Sequence, residues 1–125
     1  VALLAFGTML GAALEAAETL DATVVNMRSV KPLDTNLILD MAKAHELLVT
    51  IEENTVLGGA GAGVSEVLSK ARCETPMMIL GLPDQHVDQG DPALVLANCG
   101  LDALGICAAV QHRRPLQSVT SRSSA

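Results

Sequence analysis

The sequence predicts an α/β fold, a three-layer α/β/α sandwich around a mostly parallel sheet, and three observations carry that prediction. Four short apolar runs, at 1–6, 23–28, 47–52 and 77–82, are separated by segments of helical period. Each run is apolar through its centre and does not alternate, as strands covered on both faces do. The chain has 125 residues, 50% of them hydrophobic and 18% charged, which suits one domain with a real core.

The run at 1–6 opens the sheet. A helix is predicted next, with Thr8 as its N-cap and Leu20 near its end. Leu10, Ala13, Leu14 and Ala17 share its inner face, and Glu15, Glu18 and Thr19 turn away. After the second run, Pro32 stops the strand and Asp34 can cap a helix that buries Leu37, Ile38, Met41 and Ala42. The third run leads through a glycine-rich turn into a helix over about 61–72, with Val64, Val67, Leu68 and Ala71 at helical spacing. Beyond the fourth run, Asp91-Pro92 and Asp102 signal two short helices, the second ending near His112. The domain is thus expected over 1–112, followed by a flexible tail at 113–125 where the apolar period is lost. Right-handed crossovers favour a doubly wound sheet with the first strand central, whose crevice lies at the carboxyl ends of the strands.

Charge and composition exclude several function classes. Residues 1–112 carry −9 and the tail +3, which together make the formal −6. An acidic body repels phosphate backbones, so no nucleic-acid partner is expected. Phe6 is the sole aromatic residue, so stacking platforms are absent. The most apolar stretch, 1–14, is broken by Gly7, Thr8 and Gly11, falls short of the ~20 residues of a bilayer span and lacks a basic leader; no membrane partner is expected. Cys73, Cys99 and Cys107 show neither a disulfide framework nor zinc spacing. The strand-like start without Met reads as a piece of a longer protein.

The crevice rule points to Gly7 and Thr8 after the first run and to Glu52, Glu53 and Asn54 after the third, with Gly58, Gly59 and Gly61 beyond. A glycine-rich turn before a helix can cradle phosphate. Here the glycines match neither dinucleotide nor P-loop spacing, no lysine follows, and two acids precede them. Small residues that let the helix pack closely are the alternative reading. Glu52 and Glu53 are adjacent on a strand and point to opposite faces, so they do not converge as an acid/base pair; one of them suits a helix cap or an ion pair. His45, His86 and His112 have no metal-ligand spacing, although His86 lies on the loop after the fourth run. No Ser, Thr or Cys has a recognisable base partner, so no catalytic residue and no metal site is assigned.

Taken together, Arg28-Ser29-Val30-Lys31-Pro32-Leu33-Asp34, Glu52-Glu53-Asn54, Gly58-Gly59-Ala60-Gly61-Ala62-Gly63 and Gly81-Leu82-Pro83-Asp84 resemble the C-terminal domain of transketolase-type, thiamine-diphosphate enzymes. The resemblance covers about residues 1–112. Within it, Glu52-Glu53-Asn54, Gly81-Leu82-Pro83-Asp84 and Gly100-Leu101-Asp102-Ala103-Leu104-Gly105-Ile106 point to the branch that decarboxylates pyruvate and joins the two-carbon unit to glyceraldehyde 3-phosphate, in the non-mevalonate isoprenoid route. Departures are Gly11, Ser29, Ser65 and Gln85-His86, which bear on local packing and partner contacts. The resemblance implies thiamine diphosphate and Mg²⁺ in the full-length enzyme and neither bound by this fragment. It also implies docking against the N-terminal and middle domains of the same enzyme, a homodimer, and a bacterial cytoplasm or plastid stroma. The family sheet is mixed and five-stranded, with an antiparallel strand contributed from upstream of Val1. The same domain of a 2-oxo acid dehydrogenase β subunit, or a free-standing small-ligand-binding module, are the alternatives.

Overall fold

A computed structural model describes residues 1–28, 33–55, 59–82 and 101–124. Four strands, β1 (Ala2–Phe6), β2 (Thr23–Met27), β3 (Leu48–Thr55) and β4 (Met77–Leu82), form one sheet in the order β2-β1-β3-β4. Every neighbouring pair is parallel, with Ala2 beside both Thr23 and Leu48, and Leu48 beside Met77. The first strand is central, as its uninterrupted Ala-Leu-Leu-Ala-Phe run requires: all five of its residues are buried. The outer strand β2 exposes Thr23 and Asn26. Among the described residues no antiparallel strand is present.

Side-chain alternation along β1 and β3 divides the core in two. Leu3, Ala5, Val49 and Ile51 pack under α1 (Leu10–Leu20) and α4 (Ala103–Ser124), against Ala13, Ala16, Leu20, Ile106 and Val110. Ala2, Leu4, Phe6 and Leu48 pack on the other face under α2 (Thr35–Ala44) and α3 (Ala60–Lys70), against Ile38, Ala42, Val64 and Leu68. Helices on both faces make the three layers. Full burial of one such aliphatic side chain stabilises by about 1.5–3 kcal/mol, so a core without Trp or Tyr loses nothing essential.

Local signals set most boundaries. Asp34 Oδ1 accepts the Leu37 N–H at 3.1 Å and starts α2; Asp102 Oδ1 accepts the Gly105 N–H at 2.8 Å and starts α4. The α1 and α3 chains leave their helices through left-handed residues, Asp21 at φ 53° and Arg72 at φ 55°. After Arg72, the Cys73 N–H returns to the Leu68 carbonyl at 2.9 Å, satisfying a terminal acceptor. His45 closes α2: its Nδ1 lies 2.9 Å from the Met41 carbonyl and its Nε2 3.0 Å from Thr23 Oγ1 at the start of β2.

Three expectations are corrected. Thr8 does not cap α1; Gly7–Met9 form a 3₁₀ turn, the residue before α1 is Met9, and no side chain caps the helix there. Leu10, Ala13 and Ala17 face the core as expected and Ala16 and Leu20 join them, but Leu14 is 51% exposed. The last helix does not end near His112 but runs to Ser124; residues 113–124 hold no glycine, and Pro115 removes a single donor without ending it. The expected helix at Asp91-Pro92 and the loop bearing His86 lie outside the described residues, as do Ser29 and Gly58. Among the described residues no helix is long and apolar enough to cross a membrane.

Candidate functional site

The winding of the sheet reverses between β1 and β3, since β2 lies on one side of β1 and β3 on the other. Four of the sequence-predicted residues meet at that point, at the carboxyl ends of the two strands: Gly7, Thr8, Glu52 and Glu53. Gly7 turns the chain out of β1 at φ +60°, a conformation that glycine adopts freely. The ladder between β1 and β3 ends at Ala5 and Ile51. On the β4 side the register shifts between Ile51 and Thr55, so Glu52, Glu53 and Asn54 lie in an irregular strand end. Such irregularities re-aim side chains.

The two carboxylates part company there. Glu52 is buried, 1% exposed, and its oxygens accept both N–H groups that open α3: Ala60 at 2.6 Å and Gly61 at 2.9 Å. A helix N-terminus carries unsatisfied donors and the positive end of the helix dipole, so a charge-assisted pair of bonds holds this carboxylate in place. Glu53 is exposed and accepts a short hydrogen bond from the Thr8 hydroxyl. Thr8 thus tethers the turn after β1 to the end of β3 instead of capping α1.

Gly61 serves the packing reading. Gly59 precedes α3 in extended backbone, and Gly61 is buried against the sheet. A Cβ on Gly61 would stand 2.7 Å from both Ile79 Cγ2 and Thr50 Oγ1. Both neighbours are β-branched and stiff, so nothing larger than glycine fits without a shift. Thr50, which sequence reasoning missed, is fully buried and its hydroxyl has no hydrogen-bond partner among the described residues. Its one sequence signal is a lone hydroxyl inside an apolar run.

Chemically, the described residues at this edge offer one exposed carboxylate, Glu53, and the Thr8 hydroxyl bonded to it. The first N–H groups of α3, where an anion would bind, are taken by the protein's own Glu52. Glu52 and Glu53 do not form an acid/base pair, because one is committed to backbone donors. The Asn54 backbone belongs to β3. His45 lies at the opposite end of the sheet, beside the start of β2. Among the described residues no three His, Cys, Asp or Glu side chains stand together as a metal set.

Cys73 lies at that opposite end. Its Sγ is 3.5 Å from the Thr75 hydroxyl, which donates to the Ala42 carbonyl at 2.7 Å. Thr75, through its side chain and then its backbone, lowers the thiol below its ordinary range, with Lys43 adding to the effect and burial and Glu74 opposing it. Cys107 is buried between α1 and α4, its Sγ 3.6 Å from the Ala16 carbonyl.

Comparison with known proteins gives four concordant likenesses. A family model described as "Transketolase, C-terminal domain" matches residues 1–106. The 1-deoxy-D-xylulose-5-phosphate synthase of Leptothrix cholodnii is 58% identical over 113 residues, covering 90% of this chain and 18% of that protein. The protein of the same name from Nitrosospira multiformis is 58% identical over 115 residues, covering 92% of this chain and 19% of its own length. The chain therefore spans under a fifth of these curated relatives. Among solved structures, a "Split gene transketolase, inactive beta4 tetramer" superimposes with a TM-score of 0.81 at 38% identity, covering 89% of this chain and 38% of that one.

Proposed function

The chain belongs to the transketolase C-terminal domain family, and on that premise we propose that it is the C-terminal, non-catalytic domain of a 1-deoxy-D-xylulose-5-phosphate synthase. The whole enzyme condenses pyruvate with glyceraldehyde 3-phosphate, with loss of CO₂, to supply isoprenoid and thiamine precursors. The observation that carries this reading is 58% identity over 90% of the chain to a protein of that name, of which the chain occupies 18%. The split-gene transketolase, at 38% identity, supports the superfamily more than another member of it.

Thiamine diphosphate and Mg²⁺ serve the full-length enzyme, the cofactor supplying the carbanion chemistry. The described residues at this edge do not fit the diphosphate: the N-terminus of α3 already holds Glu52, and the exposed Glu53 is a second acid at the same strand end. No reaction step is therefore assigned to these residues. Their work is to pack a rigid domain, over residues 1–112, against the N-terminal and middle domains of the same enzyme and to support a homodimer, in a bacterial cytoplasm or plastid stroma. A free-standing ligand-binding module is disfavoured by the same filled helix end.

The test is CO₂ release and product formation from pyruvate and glyceraldehyde 3-phosphate, with thiamine diphosphate and Mg²⁺. The full-length protein containing this chain is compared with residues 1–125 alone. Activity in the former and none in the latter is expected. Turnover by residues 1–125 would overturn the non-catalytic role, and a folded but inactive full-length protein would overturn the synthase reading.

A further inference from the structure

We draw no further inference here: the strongest candidate, the half-buried Cys73 thiol beside Thr75 between the ends of α2 and α3, is a lone cysteine, and nothing in the structure shows what it would bind or react with.

Discussion

Helices α1 and α3 both begin at the carboxyl edge of the sheet, and each must satisfy the N–H groups that open a helix. They do so in opposite ways. The start of α1 is open to water: Gly7 and Thr8 are exposed, a 3₁₀ turn leads in, and no side chain caps it. The start of α3 is sealed, with Ala60 and Gly61 buried, and a buried carboxylate stands in for the missing water. The difference teaches where a charge is worth burying. Water serves an exposed helix end without cost, whereas a sealed one needs an acceptor supplied by the chain. Neighbouring residues on β3 thus have unlike roles: Glu52 holds a buried junction and Glu53 an exposed tether.

The sharpest way to break this contrast is to remove each carboxylate in turn. Glu52→Ala is expected to cost about 3 kcal/mol, since two buried N–H groups lose their acceptor, and to lower the urea midpoint of the chain accordingly. Equal losses from Glu52→Ala and Glu53→Ala would end the distinction. Next in size is a contrast within α3 itself. Gly61→Ala drives a methyl into Ile79 and Thr50 and is expected to cost about 2 kcal/mol. At Gly63 the added Cβ meets only the mobile end of Leu33, at 2.9 Å. Gly63→Ala is therefore expected to be neutral or to stabilise by up to about 1 kcal/mol through helix propensity. Paired thermal melts of the two variants check the difference in sign.

Thr50→Val sharpens the account of the sealed junction, because it replaces an unpartnered buried hydroxyl with a methyl of the same shape. A gain of about 1 kcal/mol in denaturation is expected; a loss would mean that the hydroxyl has a partner. On the open side, Thr8→Ala removes an exposed bond to Glu53 and is expected to cost about 0.5 kcal/mol, measured in the same way. The smallest expected effect on the fold is at Cys73. Its alkylation rate should rise with pH along a curve lying below the ordinary thiol range, because a lowered thiol pKa gives thiolate at lower pH. Thr75→Val should move that curve back up, while Cys107, buried, should react slowly throughout; peptide mapping assigns the sites.

Much of the architecture was legible because it rests on periodicity and short caps. Continuous apolar runs declared strands covered on both faces, and Asp34 and Asp102 declared helix starts that the structure places where expected. The opposite facing of Glu52 and Glu53 followed from strand alternation alone. Less legible was anything decided by tertiary approach. Thr8 has the residue type of a cap, but its hydroxyl is turned to Glu53 on β3, to which it donates, and accepts no N–H of α1. Leu14 fits the apolar stripe of α1, yet it lies at the edge of the buried face and is exposed, while Ala16 takes its place in the core. Gly61 announced close packing only in outline, since the identity of Ile79 and Thr50 as its neighbours depends on the register of β3 with β4.

The core under α1 is closed by the last helix of the chain: Cys107 meets Ala16 across 91 residues. Within the domain, β1 and α1 are made before β3 and α4, and Leu3, Ala5, Val49 and Ile51 stay half-roofed until Ile106 and Val110 arrive. Contacts of such long separation slow folding and leave apolar surface waiting for its cover. Unlike the α2 and α3 face, whose fully buried residues are all made by Leu68, this face ties the domain's assembly to the making of α4. A nascent chain that stops before α4 would present a sheet with one finished side and one that favours association.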